Sequence, residues 1–99
     1  MRLGCADSRV RGLIGIGLPV NSSDFSYLER CSKPKLIVQG TNDEHGSWDT
    51  LERLVAHMDG DTRLIFVHDA DHFLAGKLDQ LDEAITTWLT ERYAELQVL

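Results

Sequence analysis

The sequence predicts an α/β fold: a short parallel sheet of three strands in the order 1-2-3, layered αβα by crossover helices. Three observations carry that prediction. Apolar runs at Leu13–Leu18, Lys35–Gln39 and Leu64–Val67 alternate with segments of helical periodicity, an order that points to a parallel sheet with right-handed crossovers. The first run, LIGIGL, is apolar on both faces, as in strands covered from both sides. Each run ends in a polar, turn-forming loop, and parallel strands bring such loops to one edge of the sheet. The sheet is thin, since modal sheets have about four to six strands.

Totals narrow the function classes. The chain has 99 residues, which suits one domain spanning 1–99. With 42% hydrophobic and 26% charged residues it has the composition of a soluble globular protein. A formal charge of -6 argues against nucleic acid or an anionic membrane as the main partner. The apolar stretch Leu13–Val20 is too short and too rich in Gly and Pro to span a bilayer, and residues 1–11 lack the apolar core of a secretory signal. A cytoplasmic location is the expectation. Cys5 and Cys31 form neither a disulfide framework nor a CxxC motif and read as two partly buried thiols.

Taken in order, residues 1–7 read as the end of a helix weakened by Gly4. Gly12, Gly15 and Gly17, at and within the first strand Leu13–Leu18, stand in the order GxxGxG, and Pro19 stands where a phosphate-cradling helix would have to open. No cofactor is therefore expected. Asp24–Arg30 reads as a short helix, capped by Ser23 or Asp24, with Phe25 and Leu28 inward. Pro34 marks entry to the second strand, and the loop Gly40–Gly46 closes it. Ser47 stands as N-cap of the next helix, whose inner face is Leu51, Leu54, Val55 and Met58. Asp59-Gly60-Asp61 breaks that helix before the third strand, Leu64–Val67. After Gly76, one apolar stripe runs through Leu78, Leu81, Ile85, Trp88, Leu89 and Leu96.

The second loop offers Asp43, Glu44 and His45; the third offers His68, Asp69, Asp71 and His72. An aspartate and a histidine on adjacent strand ends can hydrogen-bond, the carboxylate fixing the imidazole tautomer while the ring acts as general base. Asp43 and His72 occupy matching positions after successive strands and are the expected catalytic pair. His68 reads as a packed last strand residue, and His45 and His57 as solvent-facing. A zinc site at His68-Asp-Ala-Asp-His72 is the chemical competitor, but its spacing is not that of HExxH, and no metal is expected.

The pattern PKLIVQGTNDE, then a helix, then a strand running into VHDADHF, resembles the C-terminal part of an α/β-hydrolase. DSRVRGLIGIGLPV and DFSYLERCSKPKLIV resemble the dienelactone-hydrolase-like branch of that superfamily. The resemblance implies a partial α/β-hydrolase fold, with Asp43 as acid and His72 as base of a Ser-Asp-His triad for ester or acyl hydrolysis. It also marks a departure: none of Ser8, Ser22, Ser23, Ser26, Ser32 and Ser47 lies in a G-x-S-x-G elbow. By resemblance the chain is the last third of a hydrolase without its serine, and autonomous hydrolysis is not expected. The strand Leu13–Leu18 then becomes an exposed edge, for which a homodimer by antiparallel edge pairing into a six-stranded sheet is expected. Three readings stand open: a hydrolase segment needing a nucleophile from elsewhere, a non-catalytic dimeric domain binding a partner or small molecule, and a truncated gene product or engineered fragment.

Overall fold

The computed structural model describes residues 2–92. Helix α1 (Arg2–Ala6) is followed by strand β1 (Leu13–Ile16) and a 3-10 helix (Ser26–Arg30). Then come β2 (Lys35–Gly40), α2 (Trp48–Ala56), β3 (Thr62–Val67) and α3 (Leu78–Arg92). The strands form one parallel sheet in the order β1-β2-β3, with Leu13 opposite Lys35 and Lys35 opposite Thr62.

Side chains alternate across the pleat and split the core in two. Leu36 and Val38 of β2 pack with Val67, Ala70, Leu74, Ala84 and Trp88 on the α3 face. Ile37 packs with Leu13, Leu18, Leu28, Cys31 and Leu51 on the opposite face, where the 3-10 helix and α2 lie. Both strand-to-strand connections therefore run on one face, so strands add consecutively, and α3 alone covers the other. This is the expected αβα layering. The middle strand is buried along its whole length.

Several boundaries differ from expectation. β1 stops at Ile16 rather than Leu18 because Gly17 takes φ of +62°, a left-handed conformation that turns the chain out of the sheet. The crossover after β1 is a 3-10 helix; Asp24 organises its entry by accepting the Ser26 N–H at 2.9 Å. Ser47 precedes α2, but its hydroxyl donates to Thr50 Oγ1 at 2.9 Å instead of capping a backbone N–H. β3 begins at Thr62, two residues early, because it pairs with β2 from Lys35 onward. In α3 the inner face is Leu81, Ala84, Ile85 and Trp88, whereas Leu78 and Leu89 are exposed. Leu96 lies outside the described residues. Among the described residues no helix is long and apolar enough to cross a membrane.

Candidate active site

The loops after β2 and β3 are joined before any titratable side chain is considered. Thr41 N–H donates to Val67 O at 3.0 Å and Asn42 N–H to Ala70 O at 2.9 Å. The Thr41 hydroxyl oxygen accepts the Asp69 N–H at 2.9 Å. Gly40 makes this approach possible: a Cβ there would lie 2.2 Å from Ala70 O and 2.6 Å from Asp71 O. Any side chain at position 40 would push the histidine-bearing loop away. Two residues of that stretch, Asp69 and Leu74, hold positive φ angles of 56° and 55°, backbone strain concentrated where the chain doubles back over the sheet edge.

Within this junction His72 Nδ1 lies 2.9 Å from Asp43 Oδ2. A carboxylate accepts, so the ring nitrogen facing it donates, and in the neutral ring that leaves the Nε2 lone pair free to take a proton. The Asp43 side chain is 0% exposed and that of His72 25%. Asp43 is held from its other side as well: Oδ1 accepts the N–H groups of His45 and Gly46 at 2.8 and 3.2 Å. Among the described residues Nε2 of His72 has no hydrogen-bond partner. A buried, fixed carboxylate behind a partly open imidazole is a geometry for moving a proton at Nε2.

The first loop also takes part. A Cβ on Gly17 would sit 2.9 Å from His72 O and 3.3 Å from its Nδ1, so the turn that ends β1 is the seat of the ring. Asn21 binds the acid loop, its N–H donating to His45 O at 3.0 Å and its side-chain amide to Glu44 O at 3.3 Å. All three strand ends thus meet at one edge.

The remaining candidates separate. His45 is half-exposed, yet its ring packs edge-on against His72 with centroids 4.8 Å apart, a contact that its reading as solvent-facing missed. His57 lies on the surface, bonded to Arg53 O at 2.8 Å. His68 corrects the expectation of a packed residue: β3 ends at Val67, and the His68 side chain is 87% exposed beside Asp69. Asp71 shapes the turn by accepting the N–H groups of Phe73 and Ala75 at 3.0 and 3.1 Å. Among the described residues no group of three His, Cys, Asp or Glu side chains is arranged to hold a metal. Sequence reading also passed over Gln39, whose side chain is buried against Asp43; its signal was a polar residue inside an otherwise apolar strand end.

Residues 2–94 match the family model described as "Alpha/beta hydrolase domain". The chain belongs to the α/β-hydrolase family. Its solved relatives include a putative α/β-hydrolase from Agrobacterium tumefaciens at TM-score 0.86 and 26% identity, covering 96% of this chain and 45% of that one. An α/β serine hydrolase homologue from Coxiella burnetii matches at TM-score 0.73 and 30% identity, over 84% of this chain and 40% of that one. A lidless α/β serine hydrolase from Xanthomonas campestris matches at TM-score 0.74 and 25% identity, over 88% and 39% of the two chains. An uncharacterized protein of Rickettsia prowazekii is 32% identical over 90% of this α/β-hydrolase chain and 41% of its own length. The chain thus spans about 41% of that curated relative's length.

Proposed function

We propose that this α/β-hydrolase chain supplies the acid and base of a serine-hydrolase active site, Asp43 and His72, for ester or acyl hydrolysis. The observation that supports the reading is the 2.9 Å contact between His72 Nδ1 and a carboxylate with no solvent exposure. In the reaction, Nε2 takes the proton of an attacking hydroxyl while Asp43 stabilises the imidazolium. The same proton then passes to the leaving group as the acyl bond breaks, and a second cycle with water frees the acid. No G-x-S-x-G stands in the 99 residues, so the hydroxyl comes from outside them, and by themselves they turn over no ester. The dienelactone-hydrolase-like branch, read from the segments 7–20 and 24–38, is part of the same proposal.

A graft tests it. The 99 residues replace the matching part of the lidless serine hydrolase from Xanthomonas campestris, and turnover of a p-nitrophenyl ester is followed. Turnover is expected in the graft and not in the isolated chain. His72→Ala should lower kcat in the graft by about a million-fold and Asp43→Asn by about ten-thousand-fold. A folded, active graft indifferent to His72→Ala would sink the reading. So would ester turnover by the isolated chain that survives loss of the histidine.

A second reading concerns assembly: a homodimer built through β1, in which the chain serves as a non-catalytic domain. It is favoured by the unpaired outer edge of β1 among the described residues and by Ile16, 45% exposed at its end. A monomer by sedimentation at micromolar concentration would remove it.

A further inference from the structure

We propose that Gln39 is the positioning residue of the site, setting where the Asp43 carboxylate stands and so which tautomer His72 holds; this rests on the reading of Asp43 and His72 as the acid–base pair. Gln39 is the penultimate residue of the central strand and is 0% exposed. Its Oε1 accepts the Leu18 N–H at 2.9 Å. Its Nε2 lies 3.1 Å from Leu18 O, 2.9 Å from Gly46 O and 3.2 Å from Asp43 Oδ2.

The amide can stand only one way. Turning it over would aim Oε1 at three oxygen acceptors and an NH2 group at a backbone donor. Nε2 therefore faces Asp43, its two N–H groups shared among Leu18 O, Gly46 O and Asp43 Oδ2, and Oδ2 accepts from His72 Nδ1 as well. Oδ1 is occupied by the acid loop's own backbone. Of the four donors on this carboxylate, Gln39 alone comes from a strand interior. The other bonds of its amide reach the turn after β1, whose Gly17 seats the His72 ring, and Gly46 at the foot of α2. One side chain thus locks carboxylate, ring seat and helix entry to the middle of the sheet, the kind of support a site needs to keep its reacting groups aligned. Gln39 itself touches neither Nε2 nor any reacting atom and has no proton to exchange.

The test is nitrogen NMR of the His72 ring in the 99-residue chain at about pH 8, where an ordinary imidazole is neutral. The wild-type ring is expected in the Nδ1–H form. Gln39→Leu, with a dispersed amide spectrum showing that the sheet has formed, is expected to lose the single-tautomer signal. An unchanged Nδ1–H signal in that variant overturns the positioning role while leaving the pair intact. A wild-type ring in the Nε2–H form overturns both. Should Gln39→Leu fail to fold, the wild type decides: the Gln39 side-chain NH2 resonances must shift as the His72 ring is protonated, because both donate to Oδ2. The ring resonances of His72 and His45 are followed separately in that titration. Gln39 resonances that stay fixed while His72 takes its proton overturn the proposal.

Discussion

At residue scale, two polar side chains are swallowed by the same face of β2, one at each end. Lys35 and Gln39 flank Ile37, and all three are 0% exposed. Gln39 serves the site. Lys35 serves the opposite edge, where its ammonium is ringed by the carbonyls of Cys31, Lys33 and Asp59 and ties the ends of the 3-10 helix and α2 to the sheet. Among the described residues no carboxylate pairs with this ammonium, and several main-chain dipoles replace its water instead. Beside it, burial first and the neighbouring Cys31 thiol second push the Cys5 thiol from 9.0 up to about 11. The unfolded chain therefore loses that proton before the folded one does. The contribution of Cys5 is complete below pH 9 and is lost as pH rises towards 11, so stability falls across that window. At about pH 8, iodoacetamide should alkylate Cys5 in the folded chain about a hundred-fold more slowly than in urea, as thiolate availability dictates. Equal rates in the two states, read by mass spectrometry, would contradict the shift.

The elements act on the site mainly through their ends. β2 and β3 bring their loops to one edge, but contact between the loops depends on Gly40, which lets the backbone of 70–71 pass directly over the strand. Gly40→Ala places a methyl group against main-chain oxygen atoms that cannot swing aside as a side-chain tip would. The expected cost is about 1–3 kcal/mol in urea unfolding. The histidine loop should also lift, which the loss of the His72 Nδ1–H signal would report. If Gly40→Ala unfolds at the wild-type midpoint with that signal unchanged, the loop is not held down by this approach. On the other face of the sheet, α3 turns Ala84 and Trp88 inward, while Leu78 and Leu89 remain outside.

For the molecule as a whole, the two edges of the sheet set the question of partners. β1 offers an apolar strand without a proline, a lysine or a bulge to discourage pairing. If the proposed homodimer forms there, Ile16→Lys places a charge on the edge and should convert the sedimenting species to monomer with little loss of fold. A dimer that persists in that variant would move the interface elsewhere. With a formal charge of -6, two copies repel at long range, so association should strengthen with added salt.

Much of the architecture is set by local pattern. The apolar runs 13–18, 35–39 and 64–67, the helical spacing of 51, 54, 55 and 58, and the polar loops at strand ends were legible because periodicity and turn chemistry are properties of neighbouring residues, although β1 stops at Ile16 and α2 at Ala56, before Met58. The nearness of Asp43 and His72 follows from the same pattern: they stand in matching loops of a parallel sheet, 2.9 Å apart in the structure. Local pattern is silent on what crosses between elements. The sequence places Gln39 at the end of an apolar strand, but only tertiary structure brings Leu18, Asp43 and Gly46 around its amide. It reads His68 as a packed strand residue, and only the end of β3 at Val67 and the path of the loop over Gly40 turn that histidine outward while His72 faces the carboxylate. Hydrophobic periodicity specifies which face of an element is buried; hydrogen bonds between residues 21 to 29 positions apart, formed once the sheet closes, specify the site.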